Sequence, residues 1–180
     1  MIVGLVGYIG AGKSTVAHIL ATQYDMERMS FAGPLKNICA DMLHTAEPTY
    51  LRAAQIREAM DDPQRKRTYR ALLQWYGQYM RDLDPDYWVK QMRESLRGLD
   101  VLNPVIDDVR YPNEAQMLLD RGAVLVRVKR SVADEEARLG TLLHESEQHV
   151  LTLPVTHYID NNGSLGDLDL MVRRLMEELY

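Results

Sequence analysis

Eight consecutive residues near the N-terminus, Gly7, Tyr8, Ile9, Gly10, Ala11, Gly12, Lys13 and Ser14, have the types and spacing of an anion cradle. Glycines at the first, fourth and sixth positions of such a run let the backbone curl until successive N–H groups point at phosphate oxygens. A helix that begins at the loop adds its positive end to the same place. On this pattern Lys13 reaches the β- and γ-phosphates of ATP and Ser14 ligates Mg2+, while Gly7, Gly10, Ala11, Gly12 and Thr15 complete the nucleotide contacts. The loop alone leaves kinase, GTPase and ATPase chemistry open.

A second group with chemical potential is Asp107, Asp108, Val109 and Arg110, at the end of an apolar stretch. In open α/β sheets ligands bind beyond the carboxyl ends of strands. A carboxylate there holds Mg2+ through water or orients an attacking oxygen. Asp108 is favoured over Asp107, because one of two adjacent aspartates commonly caps a helix. Arg110 follows at once and can grip a phosphate with two hydrogen bonds. Moving a phosphoryl group onto a second phosphate also requires other cations to converge, and Lys36 and Arg70 are candidates. Gln74 can read a base edge, with Trp75 or Trp88 to stack on it. Of the two, Trp75 is expected in the core, and Trp88 is balanced between core and site. Arg127, Arg130 and Arg138 surround a polar segment that can close on the transferring group. His144, Ser146 and Glu147 lack the context of a nucleophile triad. His144 and His149, five residues apart, do not share a helical face suited to a metal.

The elements that must position these groups follow from periodicity. Residues 2–6 are a short apolar strand, and 14–24 have helical spacing with Val16, Ile19 and Leu20 on one face. A second strand is expected over 29–31, and a helix from Pro34 to about His44. The polar, charged residues 45–67 read as a mobile helical insertion. Helices follow over 68–80 and, with Asp84 as cap and Pro85 first, to about Arg97. Strands are expected over 101–109, 123–129 and 158–160, with a helix over 112–121 closed by Gly122. The polar residues 131–150 form two short helical pieces, and Ser164 caps a last helix with Leu168, Met171, Leu175 and Leu179 inward. Strands alternating with helices imply an α/β fold: a parallel sheet of about five strands covered on both faces.

The 180 residues fit a single domain, with an acceptor-side helical insertion at about 45–100 and a lid-like segment at about 130–150. A net charge of −5 offers no global basic field for DNA or RNA. One cysteine, Cys39, excludes an internal disulfide and suits a reducing cytoplasm. The start of the chain lacks the charged and apolar regions of a signal peptide, and no apolar run is long enough to span a membrane. Richness in Met and Tyr leaves room for a homodimer.

Taken in order, several blocks resemble the bacteriophage deoxynucleoside-monophosphate kinase family. Besides the loop at 7–14 they are Phe31-Ala32-Gly33-Pro34-Leu35-Lys36, Arg70-Ala71-Leu72-Leu73-Gln74-Trp75-Tyr76-Gly77 and Tyr87-Trp88-Val89-Lys90. Then come Asp107-Asp108-Val109-Arg110-Tyr111-Pro112-Asn113-Glu114, His144-Glu145-Ser146-Glu147 and Asn161-Asn162-Gly163-Ser164-Leu165. The resemblance implies a P-loop kinase fold and transfer of the ATP γ-phosphate to a deoxynucleoside 5′-monophosphate. It implies that Lys36, Arg70, Arg110, Glu114 and Glu147 face the acceptor, that Gln74 and Trp88 lie near its base, and that Asn161 lies against the adenine of ATP. Catalysis would fall to Lys13, Asp108, Arg127 and Arg130. Two departures stand out. Gly77 is followed by Gln78 and Tyr79, where the family often has threonine and an acidic residue, and the insertion at 45–67 matches poorly.

The chain is also similar around its loop to dephospho-coenzyme A kinase, whose acceptor is a sugar hydroxyl and needs a carboxylate base. The blocks around Gln74 and Asp108 favour the monophosphate acceptor. A GTPase would need an Asn-Lys-x-Asp element, which the chain lacks. A nucleotide-binding switch is the remaining alternative of another class.

Overall fold

The structure, a computed structural model, describes residues 1–46, 53–62, 64–97, 103–138 and 148–180, the side chains of 135–138 excepted. Glu147, His144, the Arg138 side chain and the first residues of the strand expected over 101–109 lie outside the described residues. Two compact units emerge, one of Met1–Ser30 with Asp100–Tyr180 and one of Phe31–Leu99.

The first unit holds a five-stranded sheet in the order β2-β3-β1-β4-β5. Its strands are β1 (Val3–Val6), β2 (Glu27–Met29), β3 (Pro104–Ile106), β4 (Val124–Lys129) and β5 (His157–Asp160). Every pairing is parallel, with Val3 beside Val105 on one side and Val124 on the other. β1 is buried throughout, as a central parallel strand must be. The order places β1 where the winding reverses, so its carboxyl end opens on the crevice used for ligands.

Helices cover both faces. Val3 and Leu5 share a core with Val16 and Leu20 of α1 (Lys13–Gln23) and Leu168, Val172 and Leu175 of α8 (Leu165–Leu179). Gly4, between them, faces the other way, toward Leu118 of α6 (Pro112–Leu119). Ser164 caps α8 as expected: its hydroxyl accepts from Asp167 N, and the Asp167 carboxylate returns a bond to Ser164 N at 2.8 Å. The short α7 (Ser131–Arg138) follows β4.

The second unit is helical, with α2 (Ala32–Ala46), α3 (Ala53–Asp61), α4 (Lys66–Leu83) and α5 (Tyr87–Arg97). Its core gathers Leu35, Cys39, Ile56, Met60 and Trp88. Burial pushes the Cys39 thiol up to about 11, so it is a neutral packing group. Several boundaries differ from expectation: α4 runs on to Leu83 with Asp84 as its C-cap, α5 begins at Tyr87 and not at Pro85, and β3 ends at Ile106. β2 lies two residues earlier than 29–31, and Phe31 instead leads into α2, which starts ahead of Pro34. β2 is an edge strand carrying Glu27 and Arg28, so it lacks the apolar signal that marks an inner strand. No helix among the described residues is long and apolar enough to cross a membrane.

Candidate active site

The loop between β1 and α1 is shaped by glycine. Gly12 takes φ +101° as the N-cap of α1, and Gly7 passes so close to the carbonyl of Val128 that a Cβ would lie 2.6 Å from it. A side chain at either position is therefore strained. The Ala11 N–H donates to the Tyr8 carbonyl at 3.2 Å, and the N–H groups of Thr15 and Val16 both donate to Gly12 O at 3.0 Å. Lys13 is 8% exposed, and its Nζ donates to Gly7 O at 2.6 Å and Tyr8 O at 2.9 Å. The ammonium is thus held across the mouth of the loop by the loop's own carbonyls. Ser14 is exposed on the first turn of α1.

Two further segments of the first unit reach this loop. From the end of β4, Arg130 Nη1 donates to Gly10 O at 3.4 Å. From the turn after β5, Asn161 Nδ2 donates to Ala11 O at 2.9 Å. The next residue, Asn162, accepts from Ser131 N at the start of α7 and donates to Asp160, both at 2.8 Å. Asn161 therefore braces the loop directly. Arg127, in register with Val6, has its guanidinium carbon 5.9 Å from the Tyr8 ring centroid and pairs with Asp134.

At the end of β3, Asp107 pairs with Arg28 at 2.7 Å. Asp108 and Arg110 are half-buried beside it in sequence. Glu114 is 2% exposed, and its Oε2 accepts from the backbone N–H groups of Arg110 at 2.9 Å and Tyr111 at 3.1 Å. Its carboxylate thus fixes the turn that carries Arg110 and adds negative charge to the first turn of α6. The sequence marked Glu114 but did not reveal that internal work.

In the second unit, Lys36 Nζ donates to Asp61 Oδ1 at 2.6 Å, and Arg57 pairs with the same carboxylate while its Nε reaches Asn37 at 2.8 Å. Partial burial works to raise the Asp61 carboxyl, but the hydrogen bonds and charges of Lys36 and Arg57 outweigh it and hold it below its ordinary value. Arg57 and Asp61 were not singled out in the sequence, where they look like an ordinary i, i+4 helix pair. Arg70 and Gln74 are exposed one turn apart on α4. The two tryptophans differ sharply. Trp88 is 2% exposed, packs edge-on to Tyr76 and Tyr87, and donates its indole N–H to Gly77 O at 3.0 Å. Trp75 is 60% exposed and stacks on Tyr79, with ring centroids 5.7 Å apart. The expectation that Trp75 lies in the core is therefore corrected: α4 turns Leu72, Leu73 and Tyr76 inward.

No protein-family model matches the chain. It is 29% identical over 143 residues to a protein of Acanthamoeba polyphaga mimivirus named "Putative deoxynucleotide monophosphate kinase", a match that spans 72% of this chain and 74% of that protein. Among solved structures it is similar to the shikimate kinase from Bacteroides thetaiotaomicron, with a TM-score of 0.49 at 14% identity over 99% of this chain and 98% of that one. It is also similar to the dephospho-CoA kinase from Campylobacter jejuni, with a TM-score of 0.50 at 12% identity over 99% of this chain and 96% of that one. With its strand order and glycine loop, the chain has the α/β P-loop NTPase fold.

Proposed function

We propose that this protein is an ATP-dependent deoxynucleoside-monophosphate kinase, transferring the γ-phosphate to a dNMP to give a dNDP. The observation that carries the reading is the Lys13 ammonium held inside the glycine loop, with Arg130 bonded to the same loop at Gly10. The acceptor class is supported by the likeness to the mimivirus protein and by the family blocks in the sequence.

The chain's own groups act by position and charge. Lys13 and Arg130 spread the charge that develops on the transferring group, and the N–H groups at the start of α1 add theirs. Ser14 and Asp108 offer the hard oxygen donors that suit Mg2+. When bound, that ion would supply neutralisation of phosphate charge. The acceptor oxygen belongs to a phosphate already ionised at neutral pH, so the reaction needs no strong general base.

Arg110, its backbone fixed by Glu114, is the first unit's cation for the acceptor phosphate, while Lys36, Arg70 and Gln74 keep the acceptor-side roles that the resemblance implies. Trp88 serves by holding Gly77 and hence α4, the helix on which Arg70 and Gln74 stand. Asn161 contributes to ATP binding by holding the loop in shape, and Glu147 keeps the acceptor role that the resemblance implies. The substrates are small soluble nucleotides of deoxynucleotide synthesis, so a cytoplasmic setting follows, with no nucleic-acid or membrane partner. A homodimer is compatible with this chemistry.

A coupled ADP-release assay across all deoxy- and ribonucleoside monophosphates and dephospho-coenzyme A tests the reading. Release with one or more deoxynucleoside monophosphates is expected. Release with dephospho-coenzyme A alone would overturn the acceptor class, and nucleotide binding without any turnover would leave a switch protein.

A further inference from the structure

Arg127 sits in a β4 position beside Val6, the residue that precedes the glycine loop. Its side chain is only 13% exposed and lies between two partners. On one side is the ring of Tyr8, itself a buried member of the loop. On the other is the Asp134 carboxylate of α7, 3.7 Å from Arg127 Nη2. That separation gives Coulomb attraction without a directional hydrogen bond. Arg127 Nε and Asp134 Oδ1 are both buried atoms with no hydrogen-bond partner among the described residues. The guanidinium is therefore held by charge and by the ring face, a contact that tolerates small sliding movements.

Tyr8 links this contact to the chemistry. Its carbonyl accepts from Lys13 Nζ at 2.9 Å and from Ala11 N at 3.2 Å. The residue whose ring Arg127 covers thus also sets the height of the Lys13 ammonium.

We infer that Arg127 is a positioning residue that ties α7 to the phosphate loop, acting on Lys13 through Tyr8 and not through contact with the transferring phosphoryl group. The chain of contacts runs Asp134, Arg127, Tyr8, Lys13, all within the first unit. Any shift of α7 alters the charge that faces Arg127, and through the Tyr8 ring it alters the loop. The inference rests on the loop binding a nucleoside triphosphate.

The test is fluorescence titration of the full chain with a Mg2+-bound, fluorescently labelled ATP, followed by steady-state kinetics and a thermal melt of each variant. Arg127→Met and Tyr8→Leu should each weaken nucleotide binding by about fivefold, the scale of a lost cation–π contact. The double variant should be no weaker than the worse single, because both remove one link. Arg127→Lys should recover most of the affinity, and kcat at saturating ATP should fall by less than about threefold in the Arg127 variants. A kcat loss of about a hundredfold or more at unchanged affinity would mean direct contact with the phosphoryl group and overturn the inference. So would effects that multiply in the double variant, or unchanged affinity in Arg127→Met. If Arg127→Met fails to fold, Arg127→Gln and Tyr8→Leu, singly and combined, carry the same comparison. A wild-type chain that binds no labelled ATP would sink the phosphate-loop reading itself, which separates that failure from failure of the brace.

Discussion

The side-chain amide of Asn161 occupies the space that a Cβ on Gly12 would need, while its Nδ2 donates to the carbonyl of Ala11 at 2.9 Å. Residues 150 positions apart thus enforce one loop shape. A Gly12→Ala variant meets two penalties. The left-handed backbone costs about 1–2 kcal/mol, and the Asn161 amide must move away. We expect a melting temperature lower by about 4 °C or more and a raised KM for ATP. Adding Asn161→Ala to Gly12→Ala should restore part of the stability, because the obstruction is removed. A double variant that melts at or below the sum of the two single losses would contradict this account.

Lys13 is buried against two carbonyls, so its removal should separate stability from activity. Lys13→Met keeps the aliphatic stem and removes a desolvated charge. We expect a melting temperature near that of the wild type and a kcat lower by about a hundredfold to a thousandfold, the scale of losing one charged transition-state donor. ADP release by this variant at the wild-type rate would remove Lys13 from the mechanism.

Glu114 should behave as a structural residue with a kinetic shadow. Glu114→Ala deletes two charge-assisted bonds to the backbone N–H groups of Arg110 and Tyr111, at a cost of about 3 kcal/mol. Urea denaturation would read that loss. The KM for the monophosphate should rise more than the KM for ATP, because the turn beneath Arg110 is what loosens. Equal changes in both constants would argue against that link.

The two tryptophans give a spectroscopic check on the second unit. Trp75 should be strongly quenched by acrylamide and Trp88 nearly protected, given exposures of 60% and 2%. Trp88→Phe loses the bond to Gly77 and should cost about 1 kcal/mol. Trp75→Phe should leave the melting temperature within about 2 °C of the wild type, as a surface change does. Loss of the quenchable fraction in Trp88→Phe instead would reverse the assignment.

Cys39 carries a pH dependence of known sign. Its thiol titrates near 9 in the unfolded chain and is pushed up to about 11 in the fold. The folded form therefore keeps its proton where the unfolded form has lost it. This contribution to stability is whole below pH 9 and fades as pH rises toward 11. Cys39→Ala should flatten that fall. Native protein should resist alkylation by iodoacetamide at pH 8 and react once unfolded.

Much of the first unit was readable because its sequence is locally unambiguous. The glycine loop lies between an apolar strand and a helical repeat, and Ser164 announces α8. What escaped reading depended on tertiary partners. Among the described residues β2 pairs with β3 alone, and Glu27 and Arg28 lack the apolar alternation that marks inner strands. Apolar residues wrap more than half of α4, so periodicity alone could not choose which of them turn inward, and it favoured Trp75 over its exposed position. The internal roles of Glu114 and Arg127 were hidden for a further reason. A charged side chain looks the same in sequence whether it meets a ligand, a backbone amide or an aromatic ring.

β2 and β3 are direct neighbours in the sheet, yet all of the second unit is inserted between them in the chain. Their register, with Arg28 beside Val105, is written within the first unit alone. The helical segment is consequently a cassette. Its two ends leave and rejoin the sheet at neighbouring strands, so the strand order that supports the loop is complete without it.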